Sequence, residues 1–484
     1  MRRSLRANTV PADVVERAIA ELRKDAHLEF SREALAEAER AAKREFPELS
    51  DRRDIPFITI DPEGSRDLDQ AAHLERRGDG YVVHYAISAV GLFIERGSRL
   101  DKEVRERGAT VYLPDRSIPL HPEVLSHGAA SLLEGEDRPA YLWTIELDAR
   151  GEIVEANVEL AQVRSRAQLT YTQVQAAHDG EGSLPSEVPA DMTELLAEIG
   201  RKRLVLEEER GGVSLSIPEQ SVERTEQGYR LAFREMTGVE KWNAQISLLT
   251  GMAAAQMMMK ANVGIVRTLP PARQADIDSL RHVAKLMDLK WKGNVGYPEF
   301  LRSLSPNNPA HLGFINEATT LFRGAGYLAL PAEDEDAYTM HAAMNAHYAH
   351  VTAPLRRLVD RFGLEVCRRI CAGEEIDEQL RADLRGLPKL MGTSGRLVGQ
   401  LEGRGISAVE ALVLDGRKGE EFSGVVVDVQ ERRGEPDRGR IVLREPAVEA
   451  SISGKELENG TIVKARLEEV DPSRGLLRFV LASS

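Results

Sequence analysis

Ten residues, Asp61-Pro62-Glu63-Gly64-Ser65-Arg66-Asp67-Leu68-Asp69-Gln70, constrain this chain more than any other stretch. They follow Ile55-Pro56-Phe57-Ile58-Thr59-Ile60, whose apolar and β-branched residues predict a strand ending at Asp61. Pro62 and Gly64 then predict a turn that returns Asp67 and Asp69 to Asp61, and the alternation of an extended segment puts those two on one face. Three carboxylates gathered out of bulk water repel one another unless a cation compensates them. Oxygen ligands with no cysteine or imidazole nearby suit magnesium or manganese, whose chemistry is activation of water and stabilisation of charge on a phosphate. The same residues also read as a solvated acidic turn, and spacing alone leaves both readings open.

With 484 residues, 42% of them hydrophobic and 29% charged, the chain is expected to form a soluble globular protein of more than one domain. No stretch is long enough to cross a bilayer, and Met1-Arg2-Arg3-Ser4-Leu5-Arg6 is basic without a following apolar run. A cytoplasmic location with no membrane association is therefore expected. Cys367 and Cys371, four apart in an apparent helix, read as small buried residues in a reducing compartment. A net charge of −14 argues on its face against a nucleic-acid binder, but a basic channel inside an acidic shell satisfies both requirements.

Periodicity divides the chain into three parts and predicts an α+β multidomain architecture. Residues 1–50 carry two helical patterns, one from Pro11-Ala12-Asp13 through Val15, Ile19 and Leu22, the other from Ser31 through Leu35, Ala38 and Ala41. They predict a small helical, helix-turn-helix-like unit. Arg2, Arg3, Arg6, Arg17, Arg23 and Lys24 are either its nucleic-acid-guiding face or a solvated surface. Residues 51–415 read as mixed α/β. Tyr81–Ile87 is a strand, Leu100–Arg107 a helix, and Tyr141–Leu147 a strand pairing with Ile153–Val163. From Asp191 to Leu414 the pattern is mostly helical, broken near Ile217-Pro218 and Leu269-Pro270-Pro271, with Met257-Met258-Met259 as core filling. Residues 416–484 show about five short strands, the outline of a small Greek-key barrel. His341, His347 and His350 lack the H-E-x-x-H spacing of a zinc site.

The acidic stretch resembles the signature of the exoribonuclease II/R family, whose catalytic (RNB) domain opens with a strand, an aspartate, a short turn and an Asp-x-Asp-Asp cluster. The resemblance implies that Asp61, Asp67 and Asp69 hold divalent metal at a scissile phosphate. Gln70 stands where the family has a fourth aspartate, and offers a carbonyl oxygen without charge. Gly108-Ala109-Thr110-Val111-Tyr112-Leu113-Pro114 resembles the segment presenting an aromatic residue, here Tyr112, to the 3′ end of RNA. Thr352-Ala353-Pro354-Leu355-Arg356-Arg357 resembles the family's Thr-Ser-Pro-Ile-Arg-Arg motif, with alanine for serine. Pro354 suits the first turn of the following helix, which places Arg356 near that helix's N-terminus. By the resemblance Arg356 braces the scissile phosphate, Arg357 supports the backbone, and Glu402 matches a glutamate near the site. The C-terminal part resembles the family's S1-type OB-fold, with Phe422, Arg440, Arg444, Lys464 and Arg466 as RNA-binding candidates. Residues 1–50 are too short for the paired cold-shock domains that commonly precede this catalytic domain, and Ala89 replaces a usual aspartate.

The resemblance implies a Mg²⁺-dependent 3′→5′ exoribonuclease, Mn²⁺ being an alternative ion, which hydrolyses single-stranded RNA to 5′-mononucleotides without an obligate protein partner. Asp69, with Asp67, is expected to position or deprotonate the attacking water, and Arg356 to stabilise the developing charge. Two alternatives come from other classes: an RNA-binding regulator that kept the fold and lost catalysis, suggested by Gln70, Ala89 and Ala353, and a DNA-binding regulator built on the N-terminal helices.

Overall fold

The computed structural model describes residues 8–26, 29–213, 219–334, 337–430 and 435–482. Arg2, Arg3 and Arg6, the side chain of Lys24, and the Ile217-Pro218 break lie outside the described residues.

Aromatic and β-branched residues build the central sheet. Its strands run in the order Ser50–Asp51, Ile153–Thr170, Phe57–Asp61, Gln70–Arg77, Gly80–Ser88 and Asp137–Leu147. The strand Ile153–Thr170 is long enough to serve twice. Its first part pairs antiparallel with Asp137–Leu147, as expected, and its last part runs parallel to Phe57–Asp61, with Asp61 opposite Thr170. The sheet thereby closes on itself and leaves few edges unpaired.

Alternation sorts the sheet's side chains. Leu74, Val83, Tyr85, Ile87, Trp143 and Ile145 enter the main core, while Ala71, Ala86, Leu142 and Ala161 form a smaller one on the other face. Three helices cover the main core: Met192–Glu209, Gly238–Ala261 and Leu358–Ala372. Thr237 and Glu240 form a capping box that starts the second of these. Met258 and Cys367 are fully buried, in keeping with their expected filling roles. Gly251 lies on the same helix where the chain at Tyr348 and Ala349 crosses it. A Cβ there would stand 2.2 Å from the Tyr348 ring, so only glycine admits this crossing.

The N-terminal helices do not pack together as one small unit. Ala12–Ala26 buries Val15, Ile19 and Leu22 in a core shared with Tyr229, Leu401 and the C-terminal barrel. Arg32–Ala41 buries Ala34, Ala38 and Ala41 in the main core instead. Each apolar stripe finds a larger surface on the body than the other short helix offers. Thr9 and Val10 also pair with Arg230 and Tyr229 of a hairpin, Glu219–Thr225 and Gly228–Arg234. That hairpin interrupts the middle of the chain, which is otherwise mostly helical as expected. So does the strand pair Gly264–Thr268 and Gly326–Leu330.

Five strands, Glu421–Gln430, Asp437–Leu443, Val448–Gly454, Ile462–Asp471 and Leu476–Leu481, close the C-terminal barrel. It is tied to the body through Glu410, on the 36-residue helix Glu378–Val413. The Glu410 carboxyl accepts the Glu449 N–H at 2.7 Å and Gln220 Nε2 at 2.8 Å, and burial pushes it up to about 7.

Candidate active site

The acidic loop begins where the strand Phe57–Asp61 ends, and Gly64 takes a positive φ of 79° in the turn. Leu68 is fully buried and anchors the return. Its N–H donates to Ser131 Oγ at 3.0 Å, and Ser131 Oγ donates to the Arg66 carbonyl at 2.6 Å. Asp69 follows with its carboxylate 2% exposed. One oxygen accepts the Leu355 N–H and the other accepts Arg356 Nε–H, both at 2.7 Å. The guanidinium of Arg356 is 43% exposed, so this ion pair forms the floor of an open site.

Two stretches distant in sequence run side by side to complete the site. The Thr110 N–H donates to the Arg356 carbonyl at 2.9 Å and the Leu358 N–H to the Gly108 carbonyl at 3.0 Å. This antiparallel contact brings Tyr112, 48% exposed, beside Arg356. Burial pushes the Tyr112 phenol up to about 12, so it stays protonated. Glu402 reaches Tyr112 from the long helix, its Oε1 accepting the Tyr112 N–H at 2.8 Å. It supports the aromatic residue from behind.

Asp360, to which no sequence motif assigns a role, organises the arginine turn. Fully buried, it accepts the Ala353 N–H at 2.7 Å and takes Arg357 Nε and Nη2 at 3.0 and 2.9 Å. The helix therefore begins at Leu358, with Arg357 as its N-cap, and Pro354 lies in the turn before it. This corrects the expected placement of Pro354 in the first helical turn. The Asp360 carboxylate offers the Ala353 N–H a side-chain acceptor in place of a helical one.

Gln70 Nε2 donates to the Thr352 carbonyl and its Oε1 accepts the Tyr85 hydroxyl, both at 2.5 Å, which leaves one Oε1 lone pair uncommitted. Other expected residues fall elsewhere. Phe422 is 7% exposed and stacks edge-on with Phe479 in the barrel core, where it cannot serve as a base platform. Arg440 pairs with Glu449, and Arg444 donates to the Asn307 carbonyl at 3.3 Å. Lys464 and Arg466 are exposed on one barrel strand, and no hydrogen bond or ion pair among the described residues joins them to the aspartates. His350 is bonded to the Tyr327 hydroxyl at 2.7 Å, and His347 to the Thr339 carbonyl at 3.3 Å. Arg17 pairs with Asp13, and Arg23 with the buried Asp115.

The electrostatics of the aspartates bear on a metal. Burial, reinforced by the Asp69 charge, pushes Asp61 up to about 7, and Asp61 Oδ2 is buried without a hydrogen-bond partner. Burial also pushes Asp69 up to about 7, although Arg356 and the Leu355 N–H pull it down. One guanidinium serves two buried carboxylates with Asp67 nearby, which leaves the site short of positive charge. Among the described residues no three His, Cys, Asp or Glu form a complete metal-holding group. Magnesium does not require one, because it keeps several waters and binds one or two carboxylates together with substrate phosphates. The residues present fit that mode.

Residues 49–363 match the RNB domain, and residues 420–482 match the C-terminal S1 domain of RNase II-type exonucleases. The chain belongs to the RNB family. Ribonuclease R of Aquifex aeolicus is 27% identical over 93% of this chain and 67% of its own length. Ribonuclease R of Escherichia coli is 30% identical over 66% of this chain, which spans only 40% of that enzyme. The fold is shared with Mycoplasma genitalium RNase R in complex with ribose-methylated single-stranded RNA, at a TM-score of 0.84, 19% identity, and coverage of 96% of this chain and 77% of that one. It is also shared with yeast Ssd1, a pseudonuclease, at a TM-score of 0.68 and 16% identity, over 93% of this chain and 58% of that one. The same fold is thus shared with an RNase R and with a pseudonuclease. No helix among the described residues is long and apolar enough to cross a membrane.

Proposed function

We propose that this RNB-family protein is a 3′→5′ exoribonuclease that hydrolyses single-stranded RNA to 5′-mononucleotides. The observation that carries the reading is the Asp69 carboxylate, fixed by the Leu355 N–H and Arg356 Nε beside the unpartnered Asp61 oxygen. Asp61 and Asp69, with Asp67, would hold Mg²⁺ or Mn²⁺, which supplies Lewis-acid activation of water and charge stabilisation at the phosphate. Asp69 positions the attacking water and takes its proton. Arg356 has Nε committed to Asp69, which aims its Nη groups at the phosphate oxygens where negative charge accumulates. Tyr112, held from behind by Glu402, stacks on the terminal base without reading its identity.

A 5′-labelled single-stranded RNA of about 30 nucleotides, incubated in Mg²⁺ or EDTA, tests this reading. A ladder collapsing to a short end product, absent in EDTA and in Asp69→Asn, is the expected result. Intact RNA in every lane with a shifted band on a native gel supports the second reading, a binding protein that has lost catalysis. The observation favouring that reading is Gln70, locked to Tyr85 and Thr352. Less supports the DNA-binding alternative: the two N-terminal helices bury their apolar stripes in separate cores, and Arg17 and Arg23 pair with Asp13 and Asp115.

A further inference from the structure

Pro354 is buried in the arginine turn, and its carbonyl belongs to the same peptide group as the Leu355 N–H that Asp69 accepts. That peptide bond is trans, so its C=O and its N–H point in opposite directions. Asp69 holds one edge of the peptide plane at 2.7 Å. The other edge is met by His121, whose Nε2 lies 3.1 Å from the Pro354 carbonyl oxygen. Histidine and aspartate thus grip one peptide group from its two sides.

His121 is fully buried and is itself held in place. Ser126 Oγ donates to its carbonyl at 3.1 Å, and the N–H of the preceding Leu120 donates to Thr110 Oγ1 at 3.0 Å. Thr110 in turn gives its N–H to the Arg356 carbonyl, so Leu120 and Arg356 are tied to the same residue. A carbonyl only accepts, which puts the ring proton of His121 on Nε2. Nδ1 is buried with no hydrogen-bond partner and keeps its lone pair. Protonating it would bury an unpaired N–H and a charge, and burial pushes the imidazole down to about 3. Near pH 7 the ring is a neutral donor.

Packing alone does not call for a histidine here. A leucine fills a comparable space without burying an unsatisfied ring nitrogen, and what the imidazole adds is a donor for the Pro354 oxygen. We infer that His121 is a positioning residue for the reaction, holding the Pro354–Leu355 peptide group so that the Leu355 N–H and Arg356 meet Asp69. The inference rests on the exoribonuclease reading of the site. Fully buried, His121 reaches no substrate and acts through this one peptide group. Its donation to the carbonyl also polarises the group and strengthens the N–H as a donor to Asp69, as hydrogen bonds in series do. Without it the turn keeps Asp360 at the Ala353 N–H, but the peptide next to Asp69 is held from one side only.

Two variants separate these roles. His121→Leu removes the donor at similar volume, and His121→Gln restores one, its amide nitrogen standing close to the place of Nε2. Hydrogen exchange of the full chain, followed by mass spectrometry, reads the turn without reference to catalysis. Residues 352–358 should exchange about tenfold faster in His121→Leu than in wild type, with the strand Gly80–Ser88 unchanged, and His121→Gln should return to the wild-type rate. In steady-state degradation of single-stranded RNA, His121→Leu should lower kcat about tenfold or more with KM within about twofold, and His121→Gln should recover most of the loss. Unchanged exchange at 352–358 in His121→Leu overturns the inference. So does an equal rise in Gly80–Ser88, which marks a general loss of stability, or a loss of kcat that glutamine does not recover. If the wild-type chain leaves RNA intact, the exoribonuclease reading fails and His121 falls with it as a positioning residue, whereas the exchange rates still decide whether His121 holds the turn.

Discussion

Asp69 and Arg356, 287 residues apart in the chain, share a 2.7 Å charge-assisted hydrogen bond on the floor of the site. Each fixes the other's orientation, so their variants should fail in different ways. Asp69→Asn keeps the shape and removes the negative charge, so RNA retention on a filter should persist while turnover is lost. Arg356→Ala should lower kcat by about 10²–10³-fold, the scale of one donor to a developing oxyanion. Arg356→Lys should recover little, because an ammonium cannot hold Asp69 and a phosphate in the same plane.

Asp61, Asp69 and Glu410 are all pushed up to about 7, above the ordinary carboxylate range. A carboxyl whose folded pKa is raised stabilises the fold while protonated, and that contribution is lost as pH rises through the folded value. Metal-free protein should therefore lose thermal stability as pH rises from about 4 to about 7. Mg²⁺ should raise Tm more at pH 8 than at pH 5, whereas Glu410→Gln should flatten part of the pH dependence without altering the response to Mg²⁺. An equal Mg²⁺ effect at both pH values would contradict metal binding at the aspartates.

Gln70→Asp restores the family's fourth carboxylate in sequence but removes the hydrogen bonds that Gln70 makes. Aspartate is one methylene shorter and cannot donate to the Thr352 carbonyl, which Gln70 Nε2 reaches at 2.5 Å. The expected outcome is a loss of about 1–3 kcal/mol in urea unfolding, with no gain in turnover.

Asp360→Ala leaves Arg357 beside an empty place in the interior and the Ala353 N–H without an acceptor. Breaking a buried pair from one side costs about 3–5 kcal/mol, so denaturant melts should show it clearly. Activity of the folded fraction should also drop, because the same turn carries Leu355 and Arg356 to Asp69.

Tyr112→Ala should leave Tm nearly unchanged, since the ring is 48% exposed. RNA affinity should fall by roughly tenfold, about the worth of one stacked base. Glu402→Ala should reproduce a milder form of this loss by freeing the Tyr112 backbone.

The sequence by itself determined the elements whose signals are local. The strand before Asp61, the helix Arg99–Arg107, the pairing of Asp137–Leu147 with Ile153–Thr170 and the five barrel strands all follow from side-chain alternation, capping and turn residues. The strand Gly228–Arg234 was missed although its signal is local, since Tyr229, Leu231 and Phe233 alternate after a glycine. The burial of Phe422, which alternates inward with Gly424 and Val426, was missed in the same way. The tertiary structure alone decided where the chemistry-bearing side chains point. Gln70 turns to Thr352, Asp69 closes on Arg356, Asp360 shapes the turn between them, and the two N-terminal helices part to separate cores. Each of these depends on which distant segment arrives beside a polar group that must be satisfied once buried, and no pattern within one window of sequence encodes that partner.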